Sequence, residues 1–160
     1  MAVIDEEGYR LNVGIILVGP RKRLFWGKRL ERDAWQFPQG GMNYNETPEA
    51  AMYRELREEI GLQACDVELI ACTYEWLRYR LPTRYMRRGV EPVVIGQKQK
   101  WFLLRLTAST RAIYLHRHTP PEFECWRWVN YWYPVNHVIY FKRKVYRQAL
   151  RELENYYQKL

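Results

Sequence analysis

No stretch of this 160-residue chain approaches the ~18 consecutive apolar residues that a membrane-spanning helix requires. Its first ten residues are acidic, with no apolar leader segment, so a soluble cytoplasmic protein without a membrane partner is expected. Cysteine is scarce and odd in number. Cys65, Cys72 and Cys125 lack zinc-type spacing, which predicts reduced thiols that pack rather than bridge or ligate. Repeats, low-complexity tracts and Pro/Gly-rich linkers are also missing, so residues 1–160 read as a single domain, long enough to bury a real core. Acidic residues are the minority, 18 against 26 Lys and Arg, for a net charge of +8. With seven Trp and thirteen Tyr, that balance favours a polyanionic partner. The chain ends directly after its last amphipathic stretch, so binding through a basic tail is not expected.

Apolar and branched residues mark the regular elements. Val13 to Val18, closed by Gly19-Pro20, and Leu24-Phe25-Trp26 read as two strands joined by a turn. Val67 to Leu77, Trp101 to Leu106 and Trp126 to Val129 are further strands. From about Lys142 to Leu160, the spacing of Val145, Tyr146, Ala149, Leu150, Leu153 and Tyr157 predicts an amphipathic helix. An earlier helix is bounded by Thr47 as N-cap, Pro48 at its first position and Gly61 at its end. Strand–helix–strand–helix order predicts an α/β sandwich around a mixed sheet.

On that earlier helix, Glu55, Glu58 and Glu59 stand at i, i+3 and i+4 and share one face. A solvated surface has the same pattern. Here, however, like charges repel by about 0.2–0.5 kcal/mol per pair, and they crowd the helix end where the macrodipole disfavours anions. A divalent cation would offset both costs, and hard carboxylate oxygens suit Mg²⁺ or Mn²⁺. Gly40 and Gly41 lie upstream, where small residues permit a tight turn beside such a site.

From Gly40 to Leu62 the chain reads Gly, five residues, Glu46, seven residues, Arg54-Glu55-Leu56, one residue, Glu58-Glu59, one residue, Gly61-Leu62. This resembles the Nudix box at every fixed position. The resemblance implies an α/β/α sandwich and hydrolysis of a phosphoanhydride linking a nucleoside diphosphate to another group. It also implies that Glu55, Glu58 and Glu59 divide metal binding and general-base duty. Which does which stays open, and Arg54 is expected to orient a glutamate rather than touch substrate.

Outside the box, Trp35-Gln36-Phe37-Pro38-Gln39-Gly40-Gly41, Trp76-Leu77-Arg78-Tyr79, Gly96 to Phe102, Trp126 to Val129 and Tyr131 to Val135 resemble the bacterial RNA pyrophosphohydrolase family across nearly the whole chain. The resemblance implies removal of phosphates from 5′-triphosphorylated or diphosphorylated RNA, leaving a 5′ monophosphate that exposes the transcript to decay. It assigns a further metal-binding glutamate to Glu122, with Glu124 a nearby competitor for that role. It places Arg10, Arg29, Tyr79, Gln97, Phe141 and Lys142 around the RNA. Phe141 or Arg29 would stack on a base, Gln97 and Lys142 would hydrogen-bond, and Arg10 would hold phosphates. Arg84, Arg87 and Arg88 form a basic loop that either steers RNA or is simply solvated, the latter being favoured. Two alternatives share the box: a hydrolase of dinucleoside polyphosphates such as diadenosine tetraphosphate, and a non-catalytic RNA-binding scaffold. The second would be expected to have lost box glutamates, and none is missing.

Overall fold

A computed structural model describes residues 2–160. Its centre is a pair of parallel strands, β1 (Tyr9–Val18) and β7 (Gly96–Leu106), matched from Tyr9↔Gly96 to Val18↔Arg105. Around them, β2 (Leu24–Arg29), β3 (Trp35–Gln36) and β5 (Val67–Cys72) complete the order β3-β2-β1-β7-β5. Three shorter pairings add β4 (Gln39–Gly41) to β1, β6 (Leu77–Arg80) to β7 and β8 (Phe123–Val129) to β2, all antiparallel. The sheet is therefore mixed, and its central strands are covered on both faces. That is why Val13–Val18 reads as unbroken apolar sequence rather than alternating.

Strand pleating sorts these residues between two cores. Ile16, Val18, Trp101 and Leu103 face α3 (Arg143–Gln158), meeting Val145, Tyr146, Ala149, Leu150 and Leu153. Val13, Ile15, Leu17, Phe102 and Leu104 belong to the opposite core, with Ala51, Met52, Leu56 and Ile60 of α1 (Pro48–Ile60). The result is the expected α/β/α sandwich. The bounds of α1 follow its caps: Thr47 Oγ1 accepts from the Ala50 N–H at 3.1 Å, and Gly61 takes the left-handed conformation at φ 74°.

Four expectations require correction. Val67 to Leu77 is two strands rather than one, because buried Thr73 turns its hydroxyl to the Trp101 N–H (3.0 Å) and the chain leaves the ladder there. The strand predicted from Trp101 begins at Gly96, its polar first half paired on both sides by β1 and β6. A short helix, α2 (Tyr133–His137), precedes α3 where none was expected. Cys65, Cys72 and Cys125 are free thiols, as predicted, but all three are exposed rather than packed. Among the described residues, no helix is long and apolar enough to cross a membrane.

Candidate active site

The face of the sheet that is apolar at Ile16, Val18, Trp101 and Leu103 turns polar toward the start of the same strands. Arg10 and Asn12 of β1 stand opposite Gln97 and Gln99 of β7, and Tyr79 of β6 opposite Gln97. Gln99 is fully buried and satisfied: its amide donates to Asn12 Oδ1 (2.8 Å), and its carbonyl accepts from Trp101 Nε1 (3.2 Å). These bonds fix the Asn12–Gln99 pair, and Arg10, Asn12, Tyr79 and Gln97 floor a cleft of about 420 Å³ in which buried Arg10 Nε and Gln97 Oε1 have no hydrogen-bond partner. Beside that floor, β4 offers Gly40 and Gly41, whose missing side chains leave space for the Glu55 carboxylate and the Arg10 guanidinium respectively. Carboxylates from α1 and cations from the sheet can thus reach one space.

Glu55, Glu58 and Glu59 all line this cleft. Glu55 and Glu59 are buried, and Glu58 is half-buried nearer solvent, so the i, i+3, i+4 face is not a solvated one. Burial pushes the Glu59 carboxyl well up from its ordinary range, with the adjoining Glu55 adding to the effect. Glu55 is raised too, chiefly by burial. Arg54 lies behind the cleft and holds the cluster from there. Its guanidinium donates to Glu46 (2.7 and 2.9 Å), Glu55 (2.6 Å), Glu58 (3.3 Å) and the Gly41 carbonyl (2.8 Å). This fork suits arginine, since its planar donors address four partners at once. Arg54 is therefore a positioning residue, while Arg57 on the same helix is exposed.

The remaining candidates divide. Arg10, Arg29, Gly40, Gly41, Tyr79, Gln97, Glu122 and Lys142 all line the same cleft. Glu122, just before β8, faces Arg29 at 3.5 Å, whereas Glu124 turns away to Lys28 (2.9 Å) and the Glu31 N–H (2.8 Å). Phe141 is not part of the cleft wall. It lines an adjoining cavity of about 600 Å³ that shares Arg29, Gln36 and Lys142 with the cleft, and its ring packs on Tyr79 (5.7 Å) and Tyr85 (5.2 Å). Asn12, Gln36, Gln39, His118 and Pro120 also line the cleft without having been singled out from sequence. Asn12 had a usable signal, a lone amide between apolar Leu11 and Val13. His118, 3.8 Å from Glu58, had none, since it comes from an irregular loop.

Lys142 is buried at the end of a 3₁₀ turn, its ammonium donating to Gln36 Oε1 at 3.1 Å. Burial, with the Arg29 charge adding, pushes its pKa down to about 8. Below that pH the folded protein carries a confined charge, and its stability rises as pH moves from about 8 toward the ordinary 10.5. Lys142→Met is accordingly expected to stabilise the free protein by about 1–2 kcal/mol at neutral pH. The gain should shrink toward pH 10, as read by denaturant unfolding at several pH values. A destabilised variant would show that the charge is fully compensated in place.

The site also fits a divalent cation on its own chemistry. Its donors are hard oxygens, and buried Glu59 Oε2 has no hydrogen-bond partner. Among the described residues, no three acidic, His or Cys side chains close around a single point. Such an open arrangement accords with an ion that keeps waters and takes substrate phosphate oxygens as further ligands.

A NUDIX domain profile matches residues 8–153. The chain is 60% identical over 151 residues to an RNA pyrophosphohydrolase of Acinetobacter baylyi, covering 94% of this chain and 91% of that one. It is 56% identical to an RNA pyrophosphohydrolase of Pseudomonas putida, covering 94% and 95%. Its fold is similar to that of the dihydroneopterin triphosphate pyrophosphohydrolase of E. coli, with a TM-score of 0.68 at 20% identity over 86% and 92% of the two chains. It is also similar to a C. elegans Ap4A hydrolase, with a TM-score of 0.66 at 15% identity over 94% and 98%. The profile spans the strands, the glutamate helix and most of α3, and on that ground the chain belongs to the NUDIX domain family.

Proposed function

We propose that this protein hydrolyses phosphoanhydride bonds at the 5′ end of RNA in the cytoplasm, converting a triphosphate or diphosphate end to a monophosphate and so opening the transcript to decay. One arrangement carries the reading: a single cleft joins three helix carboxylates to Arg10, Arg29 and Lys142, cations suited to a polyphosphate. The high-identity relatives support RNA as the substrate class.

Members of this family generally depend on a divalent metal. In this reading, Mg²⁺ or Mn²⁺ would be held by Glu55, Glu58, Glu59 and Glu122, supplying charge neutralisation for the phosphates and acidifying water. One of the helix glutamates takes the proton of the attacking water. Arg54 keeps Glu55 and Glu58 aligned for that exchange through the bonds described above. Arg10 and Lys142 bind phosphate oxygens, Gln97 addresses a base edge or the backbone, and Arg29 and Phe141 hold a base near the adjoining cavity. Tyr79 stays neutral, its hydroxyl pushed up to about 12 by burial, and so serves as a wall or hydrogen-bond donor rather than a charge.

The test is release of phosphate or pyrophosphate from a short 5′-triphosphorylated RNA with Mg²⁺, run beside diadenosine tetraphosphate, with Glu58→Gln as control. Conversion of the RNA to a 5′ monophosphate, dependent on Glu58 and faster than turnover of the dinucleoside, is the expected result. Preference for the dinucleoside would assign the cleft to nucleotide clearance, and RNA binding without turnover of either compound would leave a scaffold.

A further inference from the structure

An aromatic ladder climbs from the cleft to the surface. Tyr79, in the cleft wall, meets Phe141 at 5.7 Å, and Phe141 meets Tyr85 at 5.2 Å and Tyr140 at 5.5 Å. The last two rungs are open, Tyr85 being 45% and Tyr140 53% exposed. The Arg84 guanidinium lies 5.1 Å from the Tyr85 ring centre and 5.8 Å from that of Tyr140, and donates to the Tyr140 hydroxyl at 3.3 Å.

Position and charge give these rungs a direction. Tyr85 stands on the ridge between two cavities that flank the cleft. One, of about 320 Å³, shares Arg10 and Gln97 with the cleft, and the other is the 600 Å³ cavity containing Phe141. The segment Arg84-Tyr85-Met86-Arg87-Arg88 carries four cationic or aromatic side chains in five residues and no acid. Exposed rings interleaved with guanidiniums are the chemistry that holds single-stranded nucleic acid without reading its sequence.

We propose that Tyr85 and Tyr140, with Arg84 between them, form a stacking platform for RNA nucleotides 3′ of those held in the cleft, and that Arg87 and Arg88 neutralise the phosphates of that stretch. The inference rests on the RNA reading above and extends it to substrate length. Two or more nucleotides beyond the reacting end meet the protein here, which a dinucleotide or dinucleoside cannot reach. The basic loop, expected from sequence to be merely solvated, thereby acquires a role.

The test compares kcat/KM for 5′-triphosphorylated RNA of two and of five nucleotides. Wild type is expected to favour the pentamer by about tenfold, the size of one stacked base. Tyr85→Leu and, separately, Tyr140→Leu should bring that ratio close to one with the dinucleotide rate retained, and Tyr85→Trp should keep it. With Arg84, Arg87 and Arg88 all changed to Ala, the salt slope of kcat/KM should flatten for the pentamer alone, by about 0.7 for each phosphate no longer neutralised. A loop that merely supports the fold would instead lower both substrates together in the Leu variants, overturning the platform. So would an unchanged salt slope, or a wild type indifferent to length, although RNA turnover would then still stand. Failure of wild type on both RNAs would overturn the RNA reading and the platform together.

Discussion

Glu59→Gln is expected to lower turnover on the order of a thousandfold while leaving the metal-free fold within about 1 kcal/mol of wild type. The two halves of this result have one cause. Burial and the neighbouring Glu55 raise the Glu59 carboxyl from its ordinary range, so without a cation its charge is disfavoured and an amide of the same shape costs the fold little. The charge matters only when a divalent ion enters, and an amide cannot supply it. Wild type should therefore gain thermal stability on titration with Mg²⁺ or Mn²⁺, as a ligand specific to the folded state requires, and the variant should lose most of that gain. Activity within tenfold of wild type would remove Glu59 from the cation's surroundings.

Gly40→Ala should cut kcat by about a hundredfold, the penalty of displacing a catalytic group by roughly an ångström. A methyl group on Gly40 would fall onto the Glu55 carboxylate. That carboxylate has little freedom to retreat, being buried and held at 2.6 Å by Arg54. Because the clash is with the end of a side chain rather than with backbone, stability should fall by only about 1–3 kcal/mol. Folding can be checked by denaturant unfolding and KM measured alongside kcat. A rate loss no larger than the unfolded fraction explains would show that Glu55 adapts.

How far the sequence carried depended on how local each signal was. The glutamate helix was legible to the residue, because Thr47, Pro48 and Gly61 act within one turn of its ends. The apolar halves of β1 and β7 were equally plain, being buried on both faces. The first half of β7, Gly96-Gln97-Lys98-Gln99-Lys100, has no apolar side chain to mark a strand and lies outside the one expected from Trp101; it is strand through partners distant in the chain, Arg10 and Asn12 on one side and Leu77 to Arg80 on the other. The same distance hid Asn12, Gln36 and Gln39 as neighbours of the glutamates, and the arc of Arg54 across Glu46, Glu55, Glu58 and the Gly41 carbonyl. The resemblance to the Nudix box implied that Arg54 would orient a glutamate, but not that it would hold three. Exposure of the cysteines escaped for the opposite reason: residue type alone favours burial, and no local pattern contradicts it.

The long parallel pairing of Tyr9–Val18 with Gly96–Leu106 has a bearing on biosynthesis. A nascent chain emerges N-terminus first, so Arg10 and the glutamate helix leave the ribosome well before their sheet partner exists. The floor of the cleft is complete only with Gln97, and its far wall only with Glu122 and Lys142. A partly made copy therefore carries the acidic helix with Arg10 and Arg29, but without Glu122 and Lys142 and without the Gln97 strand against which Arg10 is set. Turnover of RNA is therefore expected only after Glu122 and Lys142 have been translated and the cleft has closed around its lining residues.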